Sequence, residues 1–266
     1  MRLTLLVFSI LAALTHSAYC ADWLPEKKLF LPFTADLTQP AFGARLTGIV
    51  GGRNRAEVNL GDEFGIVSFP FNNNSVLRFG IMGGAGARFD ISKITNDFEV
   101  ADFSLAFPFD YAAGDWALRA MYWHTSSHIG DDYIRTNSIA PGDLQKHVTD
   151  EVRWYAGYTG IKHLRFYGGM SYAFNLIPDS SKRNRVHAGI EGSIARESKS
   201  LFAAADLQSL QRLGWQPSFT ARAGGKLTGK ASAVSCFLEF FSGHLTYLSF
   251  MEQKETHWSF GFTFEM

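Results

Sequence analysis

The closing stretch "THWSFGFTFEM" alternates strictly between two kinds of side chain. Trp258, Phe260, Phe262, Phe264 and Met266 share one parity, and His257, Ser259, Gly261, Thr263 and Glu265 share the other. Successive strand residues point to opposite faces, so this segment predicts a strand with one apolar face and one small or polar face. The run "LRFYGGMSYAFN" repeats the pattern, with Leu164, Phe166, Met170, Tyr172 and Phe174 against Arg165, Ser171 and Asn175. "RVHAGIEGSIA" does so again, setting Val186, Ala188, Ile190 and Ile194 against His187, Glu191 and Ser193. Twelve such segments follow one another, at about 41–50, 55–69, 75–90, 97–109, 115–128, 149–161, 164–175, 184–195, 200–209, 217–226, 231–242 and 256–266. The alternation is less clean in the fourth, ninth and tenth, where apolar residues fall on both faces.

Both a soluble sandwich and a membrane barrel are built from alternating strands. In a sandwich the apolar face looks into a protein core; in a transmembrane barrel it looks outward into lipid, and strands of about ten residues carry aromatics near their ends. These segments have that length and repeatedly place Arg and Glu on the non-apolar face, which predicts an all-β, antiparallel transmembrane barrel of the outer-membrane type. Its connections alternate too: "NNNS" (72–75), "YAAGD" (111–115) and Lys162-His163 are short, whereas 129–148 and 243–255 are long. Short turns belong on the periplasmic side and long loops outside. Arg119, Arg153, Arg165, Glu191 and Glu239 then face inward, as an ionic network filling a narrow lumen with little room for a pore. Trp116, Trp154 and Trp258 read as interface aromatics.

The beginning of the chain has another character. A basic start, the apolar run "LTLLVFSILAAL" and the exit "THSAYCAD" predict a signal peptide over residues 1–20. Cleavage after Cys20 leaves Cys236 alone and no intrachain disulfide; a lipoprotein reading, with Cys20 acylated, is disfavoured by the bulky Tyr19 before it. Residues 21–40 contain Pro25, Pro32 and Pro40, which suit a strand ladder poorly, so a periplasmic or plugging segment is expected before a barrel domain at 41–266. Balanced charge, 25 basic against 25 acidic residues, gives no electrostatic sign of nucleic-acid binding. The chain carries 24 Phe and 25 Gly but no phosphate loop, zinc spacing or dinucleotide fingerprint.

The stretch "YWHTSSHIGDDY" (122–133) concentrates polar groups at the end of the fifth strand. Trp116, Leu118, Ala120 and Tyr122 form the apolar face, and the same parity continues through His124, Ser126 and His128. On the sixth strand Val152, Trp154, Ala156 and Tyr158 share a parity that runs back to Asp150, at the height of His124. A hydroxyl, an imidazole and a carboxylate are thus expected on one outward patch at the loop-side rim. That set meets the needs of acyl transfer: nucleophile, general base, and a group that orients the base. Glu151 takes the place of Asp150 if the register slips by one. The competing reading is an ordinary polar rim among lipid headgroups. A metal pair of His124 and His128 is poor, because four strand residues separate the rings by about 13 Å.

The His-x-Ser pair on an outward strand, with an acid on the next, resembles outer-membrane phospholipase A, and the lipid A deacylase barrels use a similar set. "WLPEKKLFLPFTAD" together with "HTSSHIGDD" also resembles an uncharacterised family of bacterial outer-membrane proteins. The enzyme resemblance implies Ser126 as nucleophile, His124 as base and Asp150 as orienting group, and a membrane lipid (phospholipid or lipopolysaccharide) as substrate. It also implies a homodimer and an activating calcium ion, for which Asp131 and Asp132 are the candidate ligands. The oxyanion donors are expected from calcium or from backbone N–H groups around Ser127 to Gly130. The sequence departs from the phospholipase pattern after the serine, where Ser127 and His128 replace Asn and Gly. The aromatic closing strand resembles the signal read by the barrel-assembly machinery, with Met266 where Phe is usual. The alternative function is a non-enzymatic barrel, whether structural, adhesive or a narrow channel.

Overall fold

The computed structural model describes residues 21–72 and 74–265. The expected signal peptide and the final Met266 lie outside the described residues.

Alternation makes the strands, and the strands close. After a two-residue strand β1 (Asp22–Trp23) come β2 (Phe42–Ile49), β3 (Asn54–Asn72), β4 (Ser75–Asp90), β5 (Asp97–Ala113) and β6 (Trp116–Ile129). Then follow β7 (His147–Tyr158), β8 (Leu164–Ile177), β9 (Asn184–Arg196), β10 (Lys199–Leu210), β11 (Pro217–Thr228), β12 (Ala233–His244) and β13 (Lys254–Glu265). From β2 to β13 each pairs antiparallel with the next, and β13 returns to β2, Phe264 opposite Phe42 and His257 opposite Ile49. The result is a closed barrel of twelve strands with β1 added to β3. Closure gives each of the twelve barrel strands a partner on both sides, which is what allows a sheet to cross lipid.

The outward face is a band of exposed apolar side chains: Leu46, Phe64, Leu201, Leu238, Trp258 and Phe260 are each more than half exposed. So broad an apolar surface is unsustainable in water and is the face presented to lipid, placing the protein in a bacterial outer membrane.

The inward face is ionic. Arg119 pairs with Asp110 (2.6 Å) and Glu63 (2.8 Å), Arg153 with Glu151 (2.5 Å), Arg165 with Glu191 (3.0 Å) and Arg222 with Glu239 (2.5 Å). The expected inward arginines and glutamates are all engaged in this way. The fourth expected strand, β5, was noisy for a reason: its ladder with β4 shifts register between Arg88 and Phe89. Glu99 and Val100 are consequently both buried, Glu99 on Arg55 (2.6 Å) and Val100 against Phe241.

Residues 28–41 run through the lumen. Phe30 and Phe33 are buried among Trp123, Tyr155 and Tyr167. Three inward arginines hold the main chain of this segment: Arg165 donates to Leu31 O (2.7 Å) and Pro32 O (2.9 Å), Arg222 to Thr34 O (2.6 Å) and Arg119 to Phe30 O (3.5 Å). Pro40 lies on the wall where β3 and β4 carry glycine. A Cβ on Gly61 would come within 2.9 Å of Pro40 Cβ, and one on Gly84 within 3.1 Å, so neither position accepts a side chain without displacement.

At the loop-bearing end, residues 245–253 fold inward. Leu245, Tyr247 and Phe250 are buried with Val100 and Phe241, and Leu248 N donates to Asp102 (2.8 Å). The long connection after β6 contains the short helix α1 (Asp131–Thr136), whose Tyr133 packs on Phe250.

Candidate active site

The fifth barrel strand, β6, alternates through its whole length. Arg119, Met121, Trp123 and Ser127 are buried inside, whereas Trp116 and Leu118 are exposed and His124 keeps about a third of its side chain exposed (35%) on the same outer parity. The register places His124 opposite Asp150 and Ser126 opposite Val148. His124 Nδ1 lies 2.7 Å from Asp150 Oδ1. An ionised carboxylate only accepts, so this contact assigns the proton to Nδ1 and leaves Nε2 with its lone pair.

Asp150 is held from two further directions. Tyr122 OH donates to Oδ1 (2.6 Å) and Asn175 Nδ2 to Oδ2 (2.6 Å). Tyr122 is itself flanked by Phe107 and Phe174, with ring centroids 6.1 Å away on each side. The row Phe107–Tyr122–Phe174 is thus an apolar shelf beneath the polar patch, continued beside Ser126 by half-exposed Phe103. Ser126 Oγ makes no hydrogen bond among the described residues. Two strand residues span about 6.6 Å, a separation that an imidazole and a hydroxyl can bridge from the same face.

Glu151 does not share this patch. It faces the lumen, where it accepts from Arg153 (2.5 Å), Arg185 (2.9 Å) and Ser171. Asn175 was expected inside with Arg165 and Ser171, and it is not. The β7–β8 ladder shifts between Asp150 and Glu151, pairing Asp150 with Asn175 but Glu151 with Ala173. Phe174 and Asn175 therefore both face out. The slip is silent in the sequence, because Leu176 and Ile177 beyond it are apolar in either phase. The outward parity of β6 includes Tyr122, but nothing in the pattern points to its hydroxyl on Asp150.

The remaining candidates separate from the patch. His128 is exposed at the strand end, edge-on to Phe103. Asp131 and Asp132 open α1. Asp132 accepts from Phe98 N (2.9 Å) and pairs with Arg135, so its oxygens are engaged in fixing the loop. Among the described residues no three His, Cys, Asp or Glu side chains gather as a metal site. Asp131 stands exposed beside Asp132. Gly130 N–H, counted among the expected oxyanion donors, is taken by Glu99 O (2.8 Å).

Solved structures similar to this chain are outer-membrane barrels. Outer membrane phospholipase A from Escherichia coli matches with a TM-score of 0.52 at 13% identity, over 90% of this chain and 95% of that one. The Salmonella typhi outer membrane phospholipase, a dimer with bound calcium, matches with a TM-score of 0.52 at 13% identity, over 90% of this chain and 94% of that one. The NanC porin matches with a TM-score of 0.49 at 8% identity, over 85% of this chain and all of that one (100%). At such identities the likeness is one of fold. No curated protein matches the chain by sequence. The family model of DUF1207, described as a protein of unknown function, matches residues 7–266, and the chain belongs to that family.

Proposed function

We propose that this protein is an outer-membrane lipid hydrolase that cleaves an acyl ester at the outer wall of the barrel. The observation that carries the reading is the 2.7 Å contact of His124 Nδ1 with Asp150, on the lipid face and two residues along the strand from Ser126. A lipid diffusing in the outer leaflet would lay its acyl chain over Phe103, Phe107 and Phe174 and bring its ester to the height of Ser126. Ser126 Oγ attacks the ester carbonyl carbon as its proton passes to His124 Nε2. The tetrahedral intermediate collapses, and the leaving alkoxide takes that proton to depart as the alcohol. Water, deprotonated by His124, then attacks the acyl-enzyme and releases the fatty acid with Ser126 restored. Asp150 holds the Nδ1 proton throughout and stabilises the imidazolium that forms.

The substrate is a phospholipid or the lipid A moiety of lipopolysaccharide, since both present an ester at headgroup level. A homodimer would pair two such outward patches across a shared acyl groove. The lumen supports an enzyme over an open channel, because residues 28–41 and the ion pairs fill much of it.

The test is fatty-acid release from mixed micelles of phospholipid and of lipopolysaccharide by the folded, heat-modifiable barrel. Labelling with an organophosphonate should map to Ser126 and fail in His124→Ala. A label on another serine, or full activity in Ser126→Ala, removes the proposal and leaves a non-enzymatic barrel.

A further inference from the structure

The lumen holds a void of about 150 Å³ in its loop-bearing half above residues 37–41. A single water occupies about 10–15 Å³ of such space, so there is room for a molecule of several heavy atoms. It lies inside the wall, apart from the outward patch of His124 and Ser126.

Its lining is unevenly charged: Arg153, Lys182, Arg183, Arg185 and Arg212 against Asp102, Glu151 and Asp206. The carboxylates are already engaged. Glu151 accepts from Arg153 and Arg185, Asp206 from His187 and Tyr167 (2.5 Å each), and Asp102 from Ser127 and Leu248 N. Arg183 pairs with Asp179 on the adjoining loop. Arg212 is left over. Its guanidinium makes no hydrogen bond or ion pair among the described residues, and Nε is shut off from solvent with no partner. Burial, reinforced by Arg185 and opposed by Glu151 and Glu252, pushes its pKa down to about 10. A buried donor without an acceptor is a destabilising arrangement that a bound anion would relieve.

Two more observations give the void a polar interior. Thr149 is buried, and among the described residues its Oγ1 also lacks a partner. Gln211 Oε1 accepts from Asn184 Nδ2 (2.8 Å) and Arg183 N (3.1 Å), so the turn carrying Arg212 is fastened to the start of β9, where Lys182, Arg183 and Arg185 sit. Cations from two elements therefore border the same space. One guanidinium fork satisfies a carboxylate; the three terminal oxygens of a phosphate monoester call for donors from several sides.

We infer that this void is a binding site for a small phosphorylated polar solute, its phosphate on Arg212 and the basic start of β9 and its body beside Thr149, Gln208 and Thr220. The solute enters from the loop-bearing end.

Calorimetric titration of the detergent-folded full chain with glucose 6-phosphate tests this, with glucose as the neutral control. One site is expected for glucose 6-phosphate and none for glucose. Arg212→Gln should weaken binding at least tenfold, Arg212→Lys should recover part of it, and Thr149→Val should weaken it about threefold. Heat modifiability checks that each variant remains a folded barrel. Ser126→Ala should bind as the parent does, so loss of the hydrolase reading leaves this one standing. Absence of binding, equal binding of glucose, or an affinity indifferent to Arg212→Gln overturns the assignment.

Discussion

Among the described residues the barrel wall holds two histidine–aspartate pairs, one on each side. Outside, His124 meets Asp150 at 2.7 Å; inside, His187 Nε2 meets Asp206 at 2.5 Å. The chemistry is the same and the surroundings are opposite. The inner imidazole is buried, and its second nitrogen faces Tyr155 OH at 3.3 Å. Asp206 also takes Tyr167 OH and Gln208, while Phe33 from the lumenal segment lies tilted with its centroid 4.9 Å from that of the imidazole. That pair is saturated and holds the interior together. The outer imidazole is partly exposed, has one nitrogen uncommitted and has a hydroxyl two residues away. An imidazole becomes a candidate base only where a nitrogen remains free and a substrate can arrive.

The strongest way to break this contrast is to remove the outer pair's chemistry. Ser126→Ala or His124→Ala should lower fatty-acid release by about 10⁴-fold or more, with unfolding unchanged. His187→Ala should leave release intact, measured in the same micellar assay. Next, Asp150→Ala should cost about 10²–10⁴-fold in rate, because the imidazole loses its fixed tautomer. The inner counterpart, Asp206→Ala, should leave the rate alone and destabilise the barrel by about 3 kcal/mol, as the buried donors on it lose their acceptor; the denaturant midpoint reads this. A smaller effect is expected where the outer carboxylate loses one of its other two hydrogen bonds. Tyr122→Phe or Asn175→Ala should each slow hydrolysis about tenfold, the worth of one charge-assisted bond. The smallest is Glu151→Gln, expected to leave hydrolysis unchanged; a large loss would mean that the acid on the neighbouring strand had been misassigned.

Much of this was legible in the chain because lipid and lumen impose opposite requirements on successive residues. All twelve barrel strands appear within a few residues of the expected limits, and the outward parity of Trp116, Leu118 and Tyr122 carries on to His124. What the pattern hides are the places where the period of two slips. At Glu99 and Val100, and again at Phe174 and Asn175, an extra residue changes the phase of everything beyond it. Nothing in composition marks such a bulge, so Asn175 appeared to face inward. Residues 28–41 were opaque for a different reason: prolines and irregular backbone have no period, and their partners are distant in sequence. Residue type alone marks Asp131 and Asp132 as hard oxygen ligands, and it does not show that Asp132 fixes the loop through Phe98 N and Arg135.

The arginines that secure the lumenal segment grip carbonyl oxygens of Phe30, Leu31, Pro32 and Thr34, a feature with a consequence for how this region tolerates change. A main-chain carbonyl is present whatever residue occupies the position, so these hydrogen bonds, unlike the contacts of Arg119 and Arg165 with the Phe30 ring, are blind to side-chain identity. They are sensitive instead to spacing. Exchanging Leu31 for another residue keeps every clasp, whereas deleting it shifts the carbonyls out of step with Arg119, Arg165 and Arg222 together.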